Sequence, residues 1–391
     1  MDPYFSIVMP VYNNERYLPK AVESVLKQSF HNLELIIIDD GSTDQTGKIA
    51  DALGRKDSRV QVIHQSNQWI YAAFNRGVQV ARGKYTLIVN SDDLIAKDTL
   101  ESAFSYVEKQ DLDAVFLTLA FYVCNCEQNI LDRKAFGTQI AQDILIFGEE
   151  NVHKKWFDLL KSTLIINQAN LYRTAIMKKH PFRNDWYGAD TLFNISIAPE
   201  IHSLACIAKP LYYYIQYQND STMNASIGKY YSYEHDMFET FYREYRSLFE
   251  RWGNLDEEVT LYLERRRMRY FTAAVAHLTY QNCPLSLEEK LKYIFACAAD
   301  LIPMAEERGW GEELEARVLR GCQINLLEHE GEDAGTMQFL VDYLEIILRY
   351  EKDEGDDRKL EAAVMHALNP NHIGRIFYKK LFPSKQVGTE G

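Results

Sequence analysis

The sequence lacks the signals that mark membrane-spanning, secreted and disulfide-stabilised proteins. Its 391 residues contain no apolar run near the roughly 20 residues that span a bilayer. Its acidic start, residues 1–4, has neither the basic beginning nor the apolar core of a secretion signal. The six cysteines form no CxxC pair, which favours buried free thiols over a metal site. We therefore expect a cytosolic protein, either soluble or attached peripherally to the inner face of the cell membrane.

Several catalytic and binding motifs are also missing. No P-loop is present, no GxGxxG follows the first predicted strand, and no serine lies in a nucleophile elbow. Basic residues are in the minority, 43 against 56 acidic ones, for a net charge of −13. That balance argues against a nucleic-acid partner. The charge is also uneven, because residues 251–370 carry 14 basic and 24 acidic residues while residues 371–391 carry four and one.

The first part of the chain alternates between strand-like and helix-like segments. Strands are predicted at 5–9, 33–38, 60–64, 85–89 and 114–123, and helices at 15–28, 43–53, 70–81 and 97–109. Repeated strand–helix units predict an α/β fold with a mostly parallel sheet, flanking helices and right-handed crossovers.

After about residue 225 the periodicity becomes helical. It predicts helices at 229–252, 257–281, 286–307, 311–328, 335–354 and 357–368. We therefore predict three segments: an α/β domain at 1–224, an all-α bundle at 225–370 and a basic amphipathic tail at 371–391.

Polar clusters follow three of the predicted strands, at Pro10–Glu15, Asp39–Ser42 and Asn90–Asp93. Ligands bind beyond the carboxyl ends of the strands of such sheets. The carboxylates there are suited to hydrogen-bonding a nucleoside and holding a hard divalent cation. The alternative is that these residues only form turns and cap helices.

The order and spacing of these motifs resemble family 2 glycosyltransferases of the Rossmann-like GT-A fold over about residues 4–222. The segments that carry the resemblance are Ser6–Asn13, Ile37–Asp44, Asn67, Asn75–Gly77, Ala81–Tyr85, Asn90–Asp93 and Tyr187–Phe193. The resemblance implies transfer of a sugar from a nucleotide-diphosphate donor, usually a UDP-sugar, with inversion at the anomeric carbon. It also implies a role in building bacterial surface polysaccharides.

The resemblance assigns roles residue by residue. The donor-site positions are Pro10, Tyr12 and Glu15 around the nucleoside, Asp39 on the base, Asn67, and Asn90 and Ser91 in the place of the family's Asp-x-Asp motif. Asp92 is the implied ligand of Mn²⁺ or Mg²⁺, and Asp190 is the implied catalytic base that deprotonates the acceptor hydroxyl. An alternative for Asp190 is that it caps the helix that follows it.

The sequence departs from the family pattern at five positions. Asn90 replaces an aspartate, Ala189 a glutamate, Trp69 a glycine and Phe74 an arginine, and Ile215 stands where a basic residue is frequent. These changes lower the charge of the site and leave the nucleotide, the metal affinity and diphosphate binding open. They also leave open an alternative function, a catalytically inactive paralogue that binds sugar nucleotide or carbohydrate as a scaffold.

The acceptor and the partners are less constrained. Many relatives act on glycans, polymers or lipid-linked acceptors, and we expect one of these. Residues 216–226 lie where the family often has a mobile loop over the donor. The tail at 371–391 suits an anionic membrane surface, although docking on the acidic bundle or an oligomer contact are alternatives. The helical region is a candidate surface for forming a homo-oligomer.

Overall fold

A computed structural model describes residues 2–327, apart from 126, 128, 135–139, 163–164, 166 and 218–228. Of the loop predicted at 216–226, residues 216 and 217 belong to a strand and the rest lie outside the described residues, as do the helices predicted beyond 328 and the tail at 371–391. The chain divides into two compact units. One comprises 1–227 with 243–259, and the other comprises 228–242 with the residues from 260 onward.

Within the described residues, one ten-stranded sheet forms the centre of the first unit. Its strands are β1 (Phe5–Val11), β2 (Leu33–Asp39), β3 (Val60–His64), β4 (Tyr85–Ile88), β5 (Leu94–Ile95), β6 (Ala114–Cys124), β7 (Ile130–Lys134), β8 (Ile144–Phe147), β9 (Asn170–Arg173) and β10 (Ser203–Tyr217). The order is β3-β2-β1-β4-β9-β6-β10-β5, with β7 on β6 and β8 on β10. Strands β3, β2, β1 and β4 are mutually parallel, as are β6 and β10, which confirms the predicted α/β sheet. Strand β9 is antiparallel to both β4 and β6 and joins the two parallel parts.

Helices cover the sheet and continue into the second unit. They are α1 (Leu18–Leu26), α2 (Thr46–Lys56), α3 (Ile70–Val80), α4 (Thr99–Val107), α5 (Glu149–Lys161), α6 (Thr174–Lys179), α7 (Ala189–Ile197), α8 (Glu234–Arg251), α9 (Glu257–His277), α10 (Leu287–Ala299), α11 (Ile302–Arg308) and α12 (Gly311–Leu327). The single helix predicted at 286–307 is wrong, because α10 ends at Ala299 and α11 begins with Pro303 in its first turn. Proline lacks the amide donor that would continue α10.

The core of the first unit lies where the parallel strands meet the helices. Strands β1 and β2 are buried along their whole length, as expected for parallel strands covered on both faces. Helix α3 packs tightly on β1 at Gly77, where a Cβ atom would lie 2.3 Å from Cγ1 of Val8. This contact requires glycine and holds α3 close against the middle of β1.

The described part of the second unit is helical, which confirms an all-α region after the sheet. Its apolar core contains Phe271, Ile294 and Leu301, and α11 ends on Gly309 at a φ of 68°. Among the described residues, no helix is both long and apolar enough to cross a bilayer.

Candidate active site

The ends of β1 and β2 are joined by hydrogen bonds. The Asp40 amide donates to the carbonyl of Val11 at 2.9 Å, and the Asn13 amide donates to Oγ of Ser42 at 3.0 Å. The Thr43 amide donates in return to Oδ1 of Asn13 at 2.7 Å. Two of the three predicted polar clusters therefore form one side of a crevice.

Asn14 joins the third cluster to the first. Its Nδ2 donates to Oγ of Ser91 at 2.8 Å, while its backbone amide donates to Oγ1 of Thr46 at 2.7 Å. Asn14 is buried, so these bonds are shielded from competing water. It lies inside the predicted cluster Pro10–Glu15 but was not among the predicted site residues. The predicted gathering of three strand ends is therefore present in the structure.

The carboxylate of Asp39 is held by two neighbours. Its Oδ1 accepts from the Ser42 amide at 3.1 Å, and its Oδ2 lies 2.8 Å from Nδ1 of His64. Hydrogen bonding to Asp39, and then to Asp51, raises the pKa of His64. Asp39 is buried, and its carboxylate has lone pairs for a further donor. Sequence reasoning missed His64, although its place at the end of β3 follows the same strand-end rule.

Asp40 forms hydrogen bonds that position the segment carrying Asn67. Its Oδ1 accepts from Nε2 of Gln65 at 2.8 Å and from the Gln68 amide at 2.9 Å. Gly41 has a φ of 76°, and a Cβ atom there would lie 2.8 Å from the Asn67 amide nitrogen. Only glycine permits this approach. The predicted donor-site residue Asn67 is exposed and lies directly against the turn that follows β2.

The turn Asn90–Asp93 is organised around the buried carboxylate of Asp93. Its Oδ2 accepts from the Tyr212 hydroxyl at 2.7 Å and from Nδ2 of Asn90 at 3.0 Å. Its Oδ1 accepts from the Ile215 amide at 2.9 Å. Burial, followed by the charge of Asp92, raises the pKa of Asp93 well above its usual range. Asp93 thus connects the turn to β10, a role that the sequence did not predict.

The same turn has oxygen atoms suited to one divalent cation. Asp92 is half-buried, and Oδ1 of Asn90 is buried with no hydrogen-bond partner among the described residues. Mg²⁺ and Mn²⁺ accept one or two protein oxygens when substrate phosphates supply others. Within the part of the chain that the structure describes, no group of three or more His, Cys, Asp or Glu side chains could hold a metal. The oxygen atoms of Asn90 and Asp92 fit a cation site to which the protein contributes one or two ligands.

Asp190 lies in the first turn of α7, and Gly188 is the N-cap of that helix. The helix-cap interpretation of Asp190 is therefore wrong, although its Oδ1 accepts from the Thr191 amide at 2.9 Å. The positive end of the helix dipole favours a negative charge in this turn. Ala189, where the family pattern has glutamate, is fully buried.

Helix α3 positions the segment before Asp190. The Tyr71 hydroxyl donates to the carbonyl of Tyr187. Nδ2 of Asn75 donates to the Phe182 carbonyl at 2.7 Å, and the Phe182 amide donates back to Oδ1 of Asn75 at 2.8 Å. These bonds connect the segment 182–187, which precedes α7, with α3, the helix that begins beside Asn67.

The remaining predicted residues lie at the end of β1 and just beyond it. Pro10 is a buried residue of β1, whereas Tyr12 is 46% exposed just beyond it. Glu15 is exposed, and its Oε2 accepts from the Gln45 amide at 2.8 Å, which places it beside the start of α2.

Residues 6–178 match the family described as Glycosyl transferase family 2. This segment, less than half of the chain, is similar to family 2 glycosyltransferases. Over 116 residues the chain is 44% identical to glycosyltransferase GlyG of Streptococcus pneumoniae, which is 29% of this chain and 38% of GlyG. Over 306 residues it is 23% identical to the uncharacterized glycosyltransferase EpsJ of Bacillus subtilis, which is 76% of this chain and 84% of EpsJ.

The fold of this chain is similar to that of a solved bacterial protein. The crystal structure of S. aureus TarS 1-349 in complex with UDP-GlcNAc superposes with a TM-score of 0.55 and 20% identity, covering 89% of this chain and 91% of that one. This likeness confirms the predicted GT-A fold. The match to the family ends at residue 178, so Asp190 lies beyond it.

Two departures from the family pattern have different structural settings. Phe74 is fully buried and packs edge-on against Phe182 at a centroid distance of 5.3 Å, and Phe182 stacks on Phe193 of α7 at 4.0 Å. In this chain the position therefore supports α7 and does not face the crevice. Trp69 is 39% exposed and has a φ of 76° and a ψ of 158°, a conformation that costs of order 1–3 kcal/mol for a residue other than glycine.

Proposed function

We propose that the protein is an inverting glycosyltransferase that moves a sugar from a nucleotide-diphosphate donor, a UDP-sugar, to a hydroxyl of a glycan, polymer or lipid-linked acceptor. One observation carries the proposal. Within the segment that is similar to family 2 glycosyltransferases, the ends of β1, β2 and β4 are tied together by Asn13, Asn14 and Asp40, so that Asp39 and Asp92 lie at one sheet edge. The TarS structure, which has the same fold, contains UDP-GlcNAc.

The proposed roles are those that the family resemblance implies, and the setting of each side chain is compatible with them. Asp39 accepts from the nucleobase, and Tyr12 and Asn67 border the nucleoside. Asp92 and Oδ1 of Asn90 hold a divalent cation, which when bound offsets the charge that develops on the departing diphosphate. These residues lie on the donor side of the proposed reaction.

Asp190 acts on the acceptor side. As base, it takes the proton of the acceptor hydroxyl while that oxygen attacks the anomeric carbon and the bond to the diphosphate breaks. A single displacement of this kind inverts the configuration and requires no protein nucleophile. The hydrogen bonds from Tyr71 and Asn75 attach the segment before α7 to α3, which supports a place for Asp190 near the proposed donor site.

The test combines donor binding with turnover. Thermal-shift measurements with Mn²⁺ and UDP-GlcNAc, UDP-glucose or GDP-mannose identify the donor, and release of the nucleoside diphosphate measures hydrolysis or transfer. Asp190→Asn is expected to lower turnover about 10²- to 10⁴-fold while retaining donor binding. Asp92→Asn is expected to abolish the metal dependence. Asp185→Asn is the matched control, because this exposed carboxylate pairs with Arg183 near the same helix.

Each outcome separates the alternatives. Absence of binding to every nucleotide sugar would contradict the proposal. Binding without turnover by the unmodified protein, with any of the acceptors offered, would support the inactive sugar-nucleotide-binding paralogue. The cytoplasmic location, the surface-polysaccharide role and an oligomer formed through the helical region stay predictions.

A further inference from the structure

Trp69 has a backbone conformation that a tryptophan rarely adopts. Its φ of 76° and ψ of 158° lie in a region that glycine reaches easily and that a side chain with a Cβ atom makes costly. A positive φ at a bulky residue is a genuine outlier. Such strained residues cluster at ligand-binding and catalytic sites.

The structure on both sides of Trp69 enforces this conformation. Immediately before it, the Gln68 amide is bonded to Oδ1 of Asp40 at 2.9 Å. Immediately after it, α3 begins, and the Trp69 carbonyl accepts from the amides of Ala72 and Ala73 at 3.1 and 3.3 Å. The chain must therefore turn from the Asp40 anchor into the helix within the single residue Trp69.

Trp69 does not belong to the buried core of the protein. The tryptophan at this position is 39% exposed, whereas Trp156 is fully buried. A glycine at the same place would avoid the strain without removing a core side chain. A large aromatic ring that is both strained and partly exposed is better suited to contacting a ligand than to filling the core.

The location of Trp69 indicates which molecule that ligand is. On one side, Asn67 and the Asp40 turn border the proposed nucleoside site. On the other side, Tyr71 binds the Tyr187 carbonyl, three residues before Asp190. Trp69 thus lies between the end of the crevice proposed for the nucleoside and the segment that carries the proposed base.

We propose that the indole of Trp69 stacks on a ring of the bound donor, either the nucleobase or the transferred sugar, and so determines donor affinity in this protein. The proposal rests on the proposed nucleotide-sugar function. Aromatic side chains bind both kinds of ring through their faces, because each ring offers a flat, weakly polar surface. The backbone strain at Trp69 is then the energetic cost of holding the face of its indole ring in the crevice.

The test separates the backbone from the ring. In Trp69→Gly the strain and the ring are both removed, in Trp69→Ala only the ring is removed, and in Trp69→Phe an aromatic ring is kept. Calorimetric titration with UDP and with the nucleotide sugar that binds the unmodified protein gives the dissociation constants, and urea denaturation gives stability. We expect Trp69→Gly to be at least as stable as the unmodified protein yet to bind the donor about tenfold more weakly, or about 1.4 kcal/mol.

The other variants complete the argument. Trp69→Ala should also bind about tenfold more weakly, whereas Trp69→Phe should bind within about threefold of the unmodified protein, or roughly 0.7 kcal/mol. Ala169→Gly is the matched control, because Ala169 has a φ of 64° just before β9 and should change donor binding little. A loss seen already with UDP assigns the stack to the nucleoside part, and a loss seen only with the nucleotide sugar assigns it to the sugar.

Two results would overturn the inference in distinguishable ways. If the unmodified protein binds a nucleotide sugar and Trp69→Gly binds it equally well, the stacking role is wrong while the proposed function stands. If the unmodified protein binds no nucleotide sugar, the proposed function and the stacking role fail together.

Discussion

Replacing Tyr212 with phenylalanine tests whether β10 positions the turn that carries Asp92. The Tyr212 hydroxyl is buried, donates to Oδ2 of Asp93 at 2.7 Å and accepts from the Asn90 amide at 3.3 Å. Tyr212→Phe removes only this oxygen atom. Asp93 keeps its bonds from Nδ2 of Asn90 and from the Ile215 amide. The aromatic core around Tyr212 should remain packed.

The size of the effect follows from the two groups that lose a partner. The Asn90 amide, buried without its acceptor, costs about 1–3 kcal/mol, and the Asp93 Oδ2 atom loses one of its two donors, so together they predict a loss of about 3 kcal/mol in the free energy of unfolding. For a unit of this size that corresponds to roughly 6–12 °C in melting temperature. Because Asn90 and Asp92 share the turn, we also expect Mn²⁺ binding in the presence of UDP to weaken about 10- to 100-fold.

Tyr85→Phe is the matched control. Tyr85 is equally buried in the same sheet, and its hydroxyl donates to the Leu112 carbonyl at 2.6 Å, away from the strand-end crevice. Its loss should cost about 1–3 kcal/mol of stability and leave Mn²⁺ binding unchanged. Urea denaturation and calorimetric titration of Mn²⁺ measure the two quantities. Unaltered Mn²⁺ affinity in Tyr212→Phe, or an equal change in Tyr85→Phe, would refute the positioning role of Tyr212.

Two further predictions concern the pH dependence of stability. Burial alone would raise the pKa of Glu34, but hydrogen bonds from Ser6 and Arg82 lower it. This carboxylate therefore stabilises the fold at a pH above its pKa in the unfolded chain. The contribution is lost as the pH falls through its pKa in the folded protein. Glu34→Gln should therefore cost about 2–3 kcal/mol at pH 7 and less near pH 4 in urea denaturation. The pKa of His64 is raised by Asp39, so its contribution is complete below the unfolded pKa of about 6.5 and is lost as the pH rises through the folded value. His64→Gln should accordingly destabilise the protein more at pH 6 than at pH 9.

A different result would contradict the prediction for each of these two variants. A stability loss in Glu34→Gln that is equal at pH 7 and pH 4 would show that the charge of Glu34 is irrelevant. A loss in His64→Gln that grows toward pH 9 would show that the neutral imidazole is the stabilising form.

The parallel part of the sheet could be predicted from local sequence because its strands are short, continuous apolar runs. The predicted strand at 60–64 coincides with β3, and β1 and β2 extend only one or two residues beyond their predictions. The polar residues that end these strands meet at one sheet edge for a geometric reason, since parallel strands share a direction. The same geometric rule, applied to the amino-acid sequence alone, places Asp39 and Asp92 at that edge.

The region from 144 to 217 could not be predicted in the same way. Strand β9 is four residues long, and the residues that it pairs with on β4 and β6 are more than 50 positions away in the chain, so no local pattern specifies its pairing. The hydroxyl of Tyr212 reaches Asp93 across 119 positions. Such contacts depend on the completed sheet. The break between α10 and α11 is different, because Pro303 was a local signal that the periodicity concealed.

The two aromatic departures from the family pattern are Trp69, at the start of α3, and Phe74, within it. Both follow from the contacts that this one helix makes on two sides of the proposed site. At its beginning, Trp69 turns the chain away from Asp40, and within the next turns Tyr71, Phe74 and Asn75 hold the segment that leads to Asp190. Phe74 faces Phe182 in the core, so an arginine there would bury a charge. In the proposed donor complex no cation at position 74 offsets the charge of the diphosphate, so we assign that role to the metal site proposed at the Asp92 turn. The stability of that turn, fixed by Asp93 and Tyr212, is therefore the feature on which turnover should depend most.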